Sequence, residues 1–232
     1  MTSEKTTLES QNFYLSSPIQ LLVHTRSAAN FLKGNWRHGN MGLLQFGMLT
    51  FQLWKASKMD DPYADWYLMK LFDAIEEKKA IFKSYEQHLQ EKLSNIRGME
   101  INLFTNAIPY KFPLKFNNPF GFMGAFLVEN LDYLTRQLFT LYQLGIARDH
   151  QLNAAILSDQ LKEVFELARR WKHTGVIRAD LKDHNQKAQK AIKLMGNIPA
   201  IVLNHEVELS FLPKSKEVKK DTHNESKKTS TH

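Results

Sequence analysis

Asp60-Asp61-Pro62 opens the stretch that most limits what this chain can fold into. An acidic N-cap candidate followed by Pro at the first helical position is a helix start. Neither Gly nor Pro recurs before Gly98, so the pattern predicts one helix over residues 60–97. At 1.5 Å per residue such a helix extends roughly 55 Å. Leu68, Phe72, Ile75, Lys79, Phe82, Glu86, Leu89, Leu93 and Ile96 step by alternating fours and threes, and seven of the nine are apolar. This is a heptad seam broken by Lys79 and Glu86. A helix of that length needs other long helices against it, either within an antiparallel bundle of the same chain or in a coiled coil between chains.

Further helices are predicted over residues 41–58, 120–144, 149–173 and 178–194, with Gly145 and Gly196 placed as terminators. Residues 99–105 and 108–116 alternate apolar and polar positions and read as two strands of a hairpin. Pro109 and Pro113 confine the second to an edge. Residues 198–212 fit either a short helix or an extended segment.

Ahead of these lies a strand-to-helix unit at residues 18–34. Ile19, Leu21 and Val23 alternate with Gln20, Leu22 and His24, the period of a ribbon with one face in a core. Thr25 or Ser27 is the expected helix cap, and Gly34 the terminator. A strand this short needs a partner. It is supplied either by the chain's own sheet or by a second copy of the chain through Ile19, Leu21 and Val23. The fold class expected is mainly α with small β ribbons, a ribbon-helix-helix-like N-terminal unit being embedded in a larger helical domain. The corresponding division is a loose arm (1–17), the ribbon-helix-helix-like unit (18–58), a helical domain with the long helix and hairpin (59–213), and a disordered basic tail (214–232).

Charge and composition narrow the function. The formal net charge of +7 favours an anionic partner, although +3 of it sits in residues 214–232. Cysteine is absent, which excludes disulfides, thiol nucleophiles and Cys-ligated metal sites. No apolar run reaches 18 residues, so no membrane span is expected. Helix-start chemistry accounts for Asp60, Asp61 and Asp65. The nine histidines are scattered without metal-ligand spacing, and no catalytic motif is present. A non-enzymatic cytoplasmic protein without cofactor or metal is expected.

A two-stranded ribbon fits the major groove of B-DNA, with its outer side chains against base edges. Gln20, Leu22 and His24 are the candidate readers. Arg26, Lys33 and Arg37 are candidate phosphate contacts, with the helix N-terminus at Asn40. The same alternation also describes an ordinary edge strand.

Four blocks carry a resemblance. They are Leu22-Val23-His24-Thr25-Arg26 with Ala28, Asp60-Asp61-Pro62-Tyr63-Ala64-Asp65-Trp66, Phe116-Asn117-Asn118-Pro119-Phe120-Gly121-Phe122-Met123-Gly124-Ala125, and Thr174-Gly175-Val176 with Arg178-Ala179-Asp180. As a set they resemble the AcaB-type transcriptional regulators of conjugative plasmids and integrative conjugative elements. The resemblance implies a ribbon-helix-helix homodimer that binds double-stranded DNA and activates conjugative transfer genes. The connection at residues 34–39 is longer and richer in glycine than a compact inter-helix turn. The competing reading is a non-enzymatic structural or interaction protein of the conjugation apparatus that holds partners with its long helix.

Overall fold

The computed structural model describes residues 19–34 and 40–204. The expected arm, the basic tail and Arg37 lie outside the described residues. In chain order the elements are β1 (Gln20–Val23), α1 (Arg26–Lys33), α2 (Leu43–Lys58), α3 (Pro62–Ser94), β2 (Tyr110–Pro113), α4 (Pro119–Gln143), α5 (His150–Arg170), α6 (Arg178–Lys182), α7 (Gln186–Met195) and α8 (Ala200–Leu203). The described residues are mainly helical with a small antiparallel ribbon.

The long helix starts as its sequence dictates. Asp61 Oδ1 accepts from the backbone N–H groups of Tyr63 (2.9 Å) and Ala64 (3.2 Å), and Pro62 takes the first position, where no N–H is needed. Leu68, Leu71, Ile75, Phe82 and Leu89 turn inward. Their neighbours are α2, α4 and α5 of the same chain, so α3 is a member of an intramolecular bundle. Lys78, buried to 7%, reaches Glu163 of α5 at 2.9 Å and keeps its charge paired at that packing surface.

The central element is α4, which packs against α1, α2, α3, α5 and β1. Its sequence is apolar nearly all round, the pattern of a helix surrounded by protein. Asn118 caps it by accepting from Gly121 N–H (3.0 Å), and its Nδ2 donates to the Gly47 carbonyl of α2 (3.3 Å). The Phe116 ring sits where α2 and α4 both present glycine. A Cβ on Gly47 would lie 2.3 Å from that ring and one on Gly121 2.5 Å from it.

The ribbon differs from the predicted hairpin. β1 pairs antiparallel with β2, in the register Gln20↔Pro113, Leu21↔Phe112, Leu22↔Lys111 and Val23↔Tyr110. Residues 99–105 join no ladder. Instead Phe104 N–H donates to Thr140 Oγ1 (3.2 Å) and the Phe104 carbonyl accepts from Arg136 Nε (2.8 Å). Side chains of α4 thus satisfy backbone groups that a hairpin partner would otherwise have taken. The single helix predicted over residues 178–194 is likewise two. It breaks at His184, whose φ is 49°, and restarts under the Asn185 cap, which accepts from Ala188 N–H (3.0 Å). Residues 200–203 of the ambiguous segment are helical.

Candidate nucleic-acid interface

Hydrogen-bond phase fixes what each edge of the ribbon offers. Leu114 N–H donates to the Ile19 carbonyl (2.9 Å), so the pairs Leu21/Phe112 and Val23/Tyr110 continue the bonded phase. Gln20 and Leu22 then occupy the non-bonded phase, with their backbone N–H and C=O directed away from β2. Pro113 stands opposite Gln20 in that phase, so its missing N–H costs the ladder nothing. Among the described residues the sheet has two strands, and no other strand lies along the far edge of β1.

The two faces are distinct. Leu21 and Val23 are buried at 7% and 0% in the chain's own core, whereas Ile19 is 46% exposed. The side chains of Leu21 and Val23 pack on the α4 side of the chain's own core, and β2 of the same chain supplies a partner strand, the first of the two arrangements the alternation allows. The opposite face carries Gln20 and Leu22 from β1 with Lys111 and Pro113 from β2, all exposed.

The turn from strand to helix is pinned from α4. Buried Asp132 accepts from His24 N–H (2.9 Å) and Thr25 N–H (2.7 Å), both at Oδ1. Thr25 caps α1 by accepting from Ala28 N–H (3.3 Å), and Gly34 ends the helix at φ 71°. A side chain at Gly34 is barred a second time, since a Cβ there would lie 2.6 Å from Gly42 N. The strand and α1 are therefore fixed relative to one another. Arg26 and Lys33 mark the two ends of α1, both exposed, and Lys33 Nζ lies 5.7 Å from the centre of the Tyr110 ring on β2.

The candidate readers separate on this scaffold. Gln20 and Leu22 share the outer face, while His24 is half-buried with Nδ1 3.4 Å from the Asn106 carbonyl. Asn40 is also half-buried and belongs to a different hollow of about 450 Å³, formed with Met41, Gln45 and Met48. Lys111 and exposed Lys115 were missed as candidates. Their signal was present, since both fall in the polar phase of the alternating segment 108–116.

The remaining signature block residues build the frame. Arg178, 4% exposed, donates from Nη1 to Asp60 Oδ1 (2.6 Å), from Nη2 to Asp65, and to the Val202 carbonyl (3.1 Å). Ser57 Oγ–H donates to the other oxygen of Asp65. Burial pushes the Asp61 carboxyl up from 3.8 to about 6, and its Oδ2 is buried with no partner among the described residues. Asp61 caps a helix and Asp60 and Asp65 hold one guanidinium, so the acidic cluster is structural. Among the described residues no helix is long and apolar enough to cross a membrane.

Comparisons with known proteins agree with this frame. The fold is similar to the crystal structure of selenomethionine-containing AcaB from uropathogenic E. coli, with a TM-score of 0.54. The likeness covers 80% of this chain and 94% of that one at 11% sequence identity. No curated protein matches the sequence. The family model described as transcriptional regulator AcaB matches residues 14–216, which include all four signature blocks. The chain belongs to the AcaB family of transcriptional regulators.

Proposed function

We propose that this regulator is a non-enzymatic homodimer that reads double-stranded DNA at promoters of conjugative transfer genes through the outer face of β1–β2 and activates them. The observation that carries the reading is the face itself. An amide side chain and an apolar one, Gln20 and Leu22, stand exposed beside Lys111 on a ribbon two strands wide. Such a ribbon enters the major groove, where a Gln amide pairs with adenine and an apolar side chain meets a thymine methyl. Arg26, Lys33 and Lys115 flank the face and supply phosphate contacts, which position the protein without reading sequence. His24 contributes at the margin of this surface, and Asn40 stands apart in its own hollow. Exposed Ile19, at the entrance to β1, supports contact with a second copy. The protein then acts in the cytoplasm, on plasmid or chromosomal DNA, without cofactor.

The test is selection of binding sites from a random duplex pool with the full chain, followed by gel shifts. Gln20→Ala and Leu22→Ala should each weaken the selected site by about 1–3 kcal/mol while leaving random DNA unaffected. Wild-type affinity for the selected site in both variants would overturn ribbon readout. Sedimentation of the free protein tests the dimer, and a reporter fused to the selected promoter tests activation.

A further inference from the structure

A cleft of about 620 Å³ opens beside the β1–α1 turn, between α4 and α5; of the proposed DNA contacts, Gln20, Leu22 and Lys111 do not line it, whereas His24 and Arg26 do. One wall is aromatic. Phe104 and Phe139 meet edge to face at 5.2 Å, and Phe139 lies 6.0 Å from His150, whose ring lies 3.9 Å from that of Tyr142 at a tilt of 32°. Phe104 and Phe139 are 48% and 37% exposed, although neighbouring apolar rings ordinarily gain by being covered.

The fixed charges on the rim have one sign. Arg26 and Arg136 line the cleft together with the imidazoles of His24 and His150, and no Asp or Glu does. Arg136 is half-buried on α4 and uses Nε on the Phe104 carbonyl, which orients the guanidinium and leaves its two terminal nitrogens without a hydrogen bond among the described residues. Glu129, on the same helix, is the acid that feels Arg136, and it does not line the cleft. His150 Nδ1 is shielded from solvent and has no hydrogen-bond partner among the described residues. Concave shape, apolar walls and a few convergent polar groups are the marks of a small-molecule site, and the volume is in the usual range.

We infer that this cleft binds a small aromatic monoanion, with its ring against Phe104 and Phe139 and its carboxylate on Arg136. The planar guanidinium suits a carboxylate, and the edge of the aromatic wall suits a flat ring. A neutral ligand of the same shape fills the walls and leaves the cationic rim unpaired. A highly charged anion would have to bring its hydration shell between two phenyl rings.

The experiment uses the full chain without DNA, so its result does not depend on whether the ribbon reads a promoter. Calorimetry or ligand-observed NMR compares 2-naphthoate with the neutral 2-naphthamide. Naphthoate should bind at least about tenfold tighter, the margin of one charge-assisted contact. Arg136→Gln should bring the naphthoate-to-naphthamide affinity ratio to about one, and the ratio is read because loss of the Nε contact to the Phe104 carbonyl can move both affinities together. Ala155→Trp, which fills the cleft from the exposed face of α5, should abolish binding of both. Circular dichroism melting of each variant checks that it remains folded, and the naphthoate–naphthamide comparison on the wild-type chain needs no variant at all. Equal affinities of the two probes, no binding of either, or binding indifferent to Ala155→Trp would overturn the assignment.

Discussion

Asp132, midway along α4, accepts the backbone N–H groups of both His24 and Thr25 on a single carboxylate oxygen, at 2.9 and 2.7 Å. The contact joins residues 108 and 107 positions apart and fixes where the ribbon ends and α1 begins. A hydrogen bond to a charged group contributes about 1.5–3 kcal/mol, and a buried donor left without its acceptor costs a similar amount. Asp132→Ala should therefore lower unfolding free energy by about 2–4 kcal/mol, read from urea denaturation. Asp132→Asn keeps a carbonyl oxygen at the site and should lose about half as much. Equal losses in the two variants would show that the acceptor geometry is not what holds the turn.

A second prediction concerns the buried guanidinium. Arg178 ties the turn before α3 to α8 by holding Asp60, Asp65 and the Val202 carbonyl. Arg178→Met keeps much of the side-chain volume but leaves the Asp65 carboxylate facing a buried site with only Ser57 for company. Removal of one partner from a buried ion pair costs about 3–5 kcal/mol. Adding Asp65→Asn to that variant should recover part of the loss, because the uncompensated charge is then gone. A double variant no more stable than Arg178→Met would place the cost in packing instead of charge.

These contacts mark what the sequence could and could not convey. The start of α3 was legible, since Asp61 and Pro62 act within one turn of the chain. So were Gly34 as the end of α1 and, with Ser27 as the alternative, Thr25 as its cap. The apolar phase of the long helix was also legible, and Leu68, Ile75, Phe82 and Leu89 are buried where the seam placed them. Tertiary choice of partner was not. Alternation in residues 108–116 announced a strand without stating which strand it would meet; it meets β1, while the backbone of Phe104 is bonded to Thr140 and Arg136 of α4. Nothing local to Asp60 and Asp65 names Arg178, more than a hundred residues away. The candidate face was half legible. The phase of Gln20 and Leu22 was readable, but Lys111 reaches that face only through long-range pairing.

The Asp61 carboxyl gives a pH dependence with a definite sign. Burial raises it from 3.8 in the unfolded chain to about 6 in the folded protein. Between those values the folded state binds more protons, so stability falls as pH rises through the window and is flat above it. The Asp61 contribution is fully present below about pH 4 and lost by about pH 7, on the order of 2–3 kcal/mol in all. Asn caps helices as well as Asp does and does not titrate. Asp61→Asn should therefore gain on the wild type progressively from pH 4 to pH 7 in paired urea titrations. A constant difference between the two proteins across that range would rule out Asp61 as the titrating group.

The last prediction separates reading from positioning on the proposed DNA surface. Arg26 and Lys33 stand at opposite ends of α1, Lys111 lies in β2 and Lys115 two residues beyond its end, all four exposed. If these cations neutralise phosphates, each releases counterions on binding, and the slope of log K against log salt changes by about 0.9 per contact. Arg26→Ala, Lys33→Ala and Lys115→Ala should each shallow that slope by about one unit and weaken selected and random DNA alike. Gln20→Ala should leave the slope unchanged and act on the selected site alone, because an amide against a base edge displaces no counterion. Lys111 stands directly across the ribbon from Leu22, so Lys111→Ala discriminates the two roles on one face. A shallower slope assigns Lys111 to the backbone, and an unchanged slope with lost selectivity assigns it to a base. Unchanged slopes in all four cationic variants would remove the flank of the ribbon from the DNA contact and leave the face of Gln20 and Leu22 without the phosphate anchors its docking requires.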